Sequence, residues 1–140
     1  MEMEINLFEN HRFEAVLRRY SVSVCYLFGS QATGEAYHDS DVDLAVLFKD
    51  YKPAVHHLDY VAALEEELQQ LSSRKVQVIR LQAVRDIALK FEIISSGKVL
   101  YSEDEDFRTD FEDVVIRDYL DFKPVLDLYY RELEEEILGN

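Results

Sequence analysis

The sequence predicts an α/β fold, a small mixed β-sheet of three or four strands backed by helices, with a long kinked helical segment at its C-terminal end. Three observations carry that prediction. Two short runs, Val22 to Phe28 and Asp41 to Phe48, are dominated by β-branched, aliphatic and aromatic residues, as strands are. The stretches around them repeat apolar residues every three or four positions, the period of one-sided helices. The last third of the chain keeps that helical spacing and is crossed by one proline, Pro124.

In order along the chain, Leu7 to Tyr20 is the first expected helix, with Leu7, Phe8, Phe13, Val16, Leu17 and Tyr20 on one side and Arg12, Arg18 and Arg19 between them. The first strand follows and stops at Gly29. After the second strand, Lys49 to Pro53 is a polar connection, and Pro53 stands where the start of a helix tolerates proline. The helix from Ala54 to Leu71 sets Val55, Leu58, Val61, Ala62, Leu64 and Leu68 on one broad stripe. His56 and His57 on it are adjacent, so they cannot converge on one ion and read as surface residues. Ser72 to Lys75 turns into a third strand, Val76 to Leu81. Ala83 to Ser95 is a further helix closed by Gly97, and Val99 to Tyr101 an edge strand. Asp104 to Leu138 is helical throughout, and Pro124 is expected to kink or split it near Asp121 to Lys123.

The 140 residues read as a single domain over 1–140, with a core at about 7–101 and an acidic helical segment at about 103–138. A chain of this length buries roughly two-thirds of its unfolded surface and needs no covalent staples. Cys25, the single cysteine, lies inside the first strand and reads as a small buried hydrophobe suited to a reducing cytoplasm. There is no apolar run long enough for a membrane span, and the acidic start of the chain is unlike a leader peptide. Net charge is −14 and lopsided: residues 101–140 hold 14 acids against 4 bases. A field of that sign repels nucleic acid and favours a basic protein partner. A solvated helix face kept for solubility is the other reading of the acidic segment.

The chemistry concentrates between the first two strands. Gly29 permits close backbone approach, and Ser30 with the amides of a following turn offers donors to phosphate oxygens. Asp41 and Asp43 alternate with Val42, so along a strand they share a face at a separation of roughly 6 to 7 Å, with Val42 and Leu44 turned to the core. Two carboxylates in that arrangement suit Mg²⁺, which binds through one or two carboxylates plus substrate phosphates. A strand-turn-strand with two solvated acids is the plainer alternative. The full register, Gly29-Ser30-x10-Asp41-Val42-Asp43, arises by accident in about one chain of this length in several hundred.

That register resembles the signature of the polymerase-β-type nucleotidyltransferases, in particular the minimal branch that includes the MntA antitoxins of HEPN toxin-antitoxin pairs. The resemblance covers roughly residues 7–101. It implies transfer of AMP from ATP to a tyrosine hydroxyl of a cognate HEPN-domain ribonuclease toxin, which is silenced thereby, in a hetero-oligomer of the two. Asp41 and Asp43 would hold Mg²⁺, and Gly29 and Ser30 the β- and γ-phosphates of ATP. The sequence departs from the family at Gln77, where relatives commonly place a third carboxylate, and at Gln31 and Thr33, where many carry basic residues. Arg74, Lys75 and Arg80 are then the cations available to phosphate, beside metal and backbone amides. Two other readings stay open: an antitoxin that acts by binding alone, and an adenylyltransferase for a small molecule, for which the segment after Ser102 is too short to form an acceptor domain.

Overall fold

The structure of the chain, a computed structural model, describes residues 11–29, 41–53 and 58–139. The elements are α1 (His11–Arg19), β1 (Val22–Phe28), β2 (Val42–Phe48), α2 (Leu58–Ser72), β3 (Val76–Arg80), a 3₁₀ turn (Leu81–Ala83), α3 (Ile87–Ser96), β4 (Lys98–Ser102) and α4 (Glu105–Leu138). The four strands form one sheet in the order β3-β2-β1-β4. β1 runs antiparallel to both β2 and β4, and β2 parallel to β3, so the sheet is mixed as expected. The helix residues 7–10 and 54–57 expected at the two helix starts, with His56 and His57, lie outside the described residues.

Both faces of the sheet are covered, which is why β1 and β2 read as continuous apolar runs. On one face α1 and α2 bring Phe13, Leu17, Leu64 and Leu68 against Cys25, Leu27, Leu44, Val46 and Phe48. On the other, the 3₁₀ turn, α3 and α4 bring Leu81, Ile93, Phe107 and Phe111 against Val24, Tyr26, Ala45 and Leu47. A register shift between Val22 and Val24 changes the parity of β1, so Val22 joins the first cluster together with Cys25 and Leu27. Cys25 is fully buried, and desolvation pushes its thiol pKa up, the behaviour of a packing residue.

Side chains close the joints between elements. Glu67 of α2 accepts hydrogen bonds from Arg19 and from the Tyr20 hydroxyl, fastening α1 to α2. Gln69 and Glu65 accept from the backbone N–H groups of Val76 and Val78 at 3.0 and 2.8 Å, so α2 satisfies donors of the edge strand β3. Tyr26 is fully buried, and its hydroxyl donates to Glu112 of α4 at 2.6 Å. Arg108 in turn donates to Glu112 and Glu105. A buried phenol needs such a partner, and this one ties the long helix to the central strand.

Three expectations are corrected. α2 buries a narrower stripe than predicted: Leu64 and Leu68 are inside, but Leu58 is 59% exposed and Ala62 is also exposed. At about 100° per residue, Leu58 stands about 120° from Leu64 around the helix, off the sheet-facing side. The helix expected from Ala83 begins at Ile87, because Asp86 caps it by accepting from the N–H groups of Ala88 and Leu89. Gly97 closes α3 as expected, with an ordinary φ of −72°. The need there is space, since an added Cβ would stand 2.4 Å from the Ile93 carbonyl oxygen. Lastly, α4 is not split, and its 34 residues run unbroken through Pro124. The carbonyl left without a donor belongs to Leu120, on a stretch of the helix that is exposed around the proline.

Candidate nucleotide site

β1 ends and β2 begins at the same end of the sheet, where antiparallel pairing brings them together. Phe28 pairs with Asp43, and Leu27 with Leu44. Gly29 follows with φ +75°, a left-handed turn that any side chain would strain. Its missing Cβ has a second consequence: a carbon there would lie 2.7 Å from Oδ2 of Asp43. The close approach foreseen for Gly29 is thus first of all to the Asp43 carboxylate, which lies against the turn. Ser30, with Gln31 and Thr33, lies outside the described residues.

Asp43 is half-buried and Asp41 exposed. Val42 and Leu44 point to the core as expected, at 1% and 0% exposure. β2 begins at Val42, so Asp41 stands immediately before the strand instead of within it, anchored by the bond from Val42 N–H to the Lys75 carbonyl at 2.9 Å. Burial first, and the neighbouring charge of Asp41 second, raise the Asp43 pKa above the usual carboxylate value. A half-buried carboxylate with a second acid beside it forms a site with an affinity for positive charge.

In the parallel ladder Gln77 of β3 is the residue paired with Asp43, and it is exposed. Of the three cations considered, Lys75 is placed nearest, since Val42 pairs with Val76 and its N–H reaches the Lys75 carbonyl. Arg80 pairs with Val46, three residues further along, which puts it on the opposite face of β3 from Gln77 and roughly 10 Å away along the strand. Arg74 lies in the turn before Lys75. Among the described residues no group of three or more His, Cys, Asp or Glu gathers as a metal cluster, and no helix is long and apolar enough to cross a membrane.

A sequence model described as Polymerase beta, Nucleotidyltransferase matches residues 12–106. The chain belongs to this family. As a polymerase-β-type nucleotidyltransferase it has relatives of known structure at low identity. One, described as a toxin-antitoxin with AMP-PNP, superposes with a TM-score of 0.72 at 21% identity, covering 88% of this chain and 96% of that one. Another is a tri-AMPylated Shewanella oneidensis HEPN toxin in complex with MNT antitoxin, with a TM-score of 0.69 at 20% identity over 93% and 98%. A third, the toxin-antitoxin MntA-HepT, gives 0.61 at 16% identity over 99% of both chains. These likenesses establish that the nucleotidyltransferase fold is shared, including the long C-terminal helix. No curated protein matches the chain.

Sequence reasoning missed the direct contact of Gly29 with Asp43 and the place of Lys75 beside Asp41. The first had a signal in the glycine itself. The second depends on strand register, which no local pattern reports.

Proposed function

We propose that this nucleotidyltransferase is an antitoxin that transfers AMP from ATP to a tyrosine hydroxyl of a HEPN ribonuclease toxin, working as a single minimal domain in the cytoplasm. The observation that carries the reading is the Asp43 carboxylate held against the Gly29 turn with Asp41 beside it, within a fold shared with chains of toxin-antitoxin complexes, one of them holding an AMPylated toxin.

The residues present fit Mg²⁺. Asp41 and Asp43 are hard oxygen donors on neighbouring positions, Asp43 is disfavoured as an isolated anion by burial and by Asp41, and Gly29 leaves the carboxylate unobstructed. When bound, Mg²⁺ supplies positive charge to phosphate oxygens in transfer. Gly29 and Ser30 hold the β- and γ-phosphates, and Lys75 stands at the rim of the site. The acceptor oxygen attacks the α-phosphorus, a new P–O bond forms, and the bond to the bridging oxygen breaks so that pyrophosphate leaves with its electron pair. Gln77 can hydrogen-bond the incoming hydroxyl but cannot take its proton, which passes to solvent.

Gln77 beside Asp43 also favours a second reading, an antitoxin that neutralises its toxin by binding with little or no transfer. Incubation with α-labelled ATP, Mg²⁺ and the HEPN protein encoded in an adjacent frame separates the two. Label on a toxin tyrosine supports transfer. A tight complex that stays unlabelled and leaves the ribonuclease inhibited overturns it in favour of binding.

A further inference from the structure

The face of α4 that covers the sheet does not end where the sheet ends. Phe107 and Phe111 pack on the second core cluster, Val115 is 2% exposed, and the Tyr119 ring stacks on Phe91 with centroids 4.0 Å apart and planes 5° from parallel. From Val115 the apolar positions advance in alternating steps of four and three through Tyr119, Phe122, Leu126, Tyr129 and Leu133. This 3.5-residue repeat is the one that keeps a seam facing a second helix. The body of the protein satisfies only its first half. Phe122, Tyr129 and Leu133 are 41%, 58% and 37% exposed, and Ile137 beyond them 74%. Where the helix leaves the body, a cleft of about 620 Å³ opens between Arg85, Ile87, Asp121 and Phe122. The exposed seam therefore continues an internal helix interface and starts from a recess.

Charge identifies what would cover it. Residues 118–138 carry seven acids against two bases, and Glu134, Glu135 and Glu136 lie in the last turns of α4, where the helix dipole disfavours negative charge and the last turn itself holds no base. A second copy would bring the same charge to the seam. A partner with basic borders would relieve it.

We propose that the distal seam of α4, from Phe122 to Leu133, docks a helix of the partner protein whose own apolar ridge is bordered by lysine or arginine. The identity of that partner as the HEPN protein rests on the function proposed above; the surface and its charge do not. Tyr119, stacked on Phe91, belongs to the protein's own packing and takes no part.

Titration calorimetry of the full chain with the HEPN protein, together with the labelling assay, tests this. Tyr129→Ala with Leu133→Ala should weaken binding at least about tenfold. Glu132→Lys with Glu136→Lys should weaken it too, mainly by slowing association at low salt. All four residues are exposed, so circular dichroism should be unchanged, and Asp41→Asn should bind as the wild type does. Unchanged affinity in both double variants, with wild-type transfer intact, overturns the docking surface alone. Variant-sensitive binding without any transfer supports the surface and overturns the proposed chemistry. Absence of any complex overturns both. Dimerisation of the chain alone, lost on Leu133→Ala, would give the seam to a second copy and overturn the partner.

Discussion

Gln77 stands directly beside Asp43 in the parallel β2–β3 ladder, on the same face and open to solvent. The pairing supplies an amide where a carboxylate would complete a set of three acids with Asp41 and Asp43. Gln77→Glu should therefore add a base next to the acceptor hydroxyl and raise AMP transfer at least about tenfold, within the range of general-base catalysis. A carboxylate works as a base only when ionised, so the gain should be present at neutral pH and vanish as pH falls through its pKa. Rates for both proteins between acid and neutral pH check this, and parallel profiles would show that Gln77 does not meet the acceptor.

Asp43→Asn should abolish transfer without cost to the fold. The folded-state pKa of Asp43 is raised, so the folded protein holds this proton more tightly than the unfolded chain. The stability this gives is present at acid pH and is lost as pH rises through the folded-state value. Asparagine mimics the protonated form, so at neutral pH the variant should melt no lower than wild type. Thermal melts with the labelling assay decide it, and a fall of more than about 4 °C would mean that the carboxylate holds the structure.

Gly29→Ala should damage both stability and activity. The residue would be placed at φ +75° with its new carbon against Oδ2 of Asp43. Strain of that kind costs about 1 to 3 kcal/mol. The carboxylate must shift to relieve the contact, so transfer should fall further than stability alone explains. Denaturant unfolding and kcat measured on the folded fraction check the two effects separately.

Tyr26→Phe tests how α4 is held. The change removes the donor to Glu112 while leaving Arg108 as its partner, so the loss should be about 1 to 2 kcal/mol, near the middle of the range for a buried hydrogen bond. Hydrogen exchange in the first turns of α4 should rise with it, while exchange in β3 stays as in wild type.

These features were unequally legible in the sequence. β1 and β2 were readable because a strand covered on both faces is apolar at every position, and Gly29 marks its end unambiguously. That Asp41 and Asp43 lie close together was readable from their spacing, although Asp41 stands just before the strand instead of in it. The register of α3 was not: Ile87, Ala88, Phe91, Ile93 and Ile94 surround much of the helix, so the buried member, Ile93, has no periodic signal to distinguish it. The start of that helix depended on the Asp86 cap, a local bond stronger than the apolar pattern before it. Pro124 pointed to a kink or split because local rules weigh the lost donor, whereas the helix continues through it. The pairing of Gln77 with Asp43 came from the family resemblance and could not have come from Val76 to Leu81 read by itself.

The backbone donors of Val76 and Val78 are already taken by Gln69 and Glu65. An extended polypeptide seeking to join the sheet beside Gln77 therefore meets a strand with two backbone donors already occupied. On the function proposed above, the acceptor hydroxyl should then reach the site carried by something other than a strand hydrogen-bonded at those two positions.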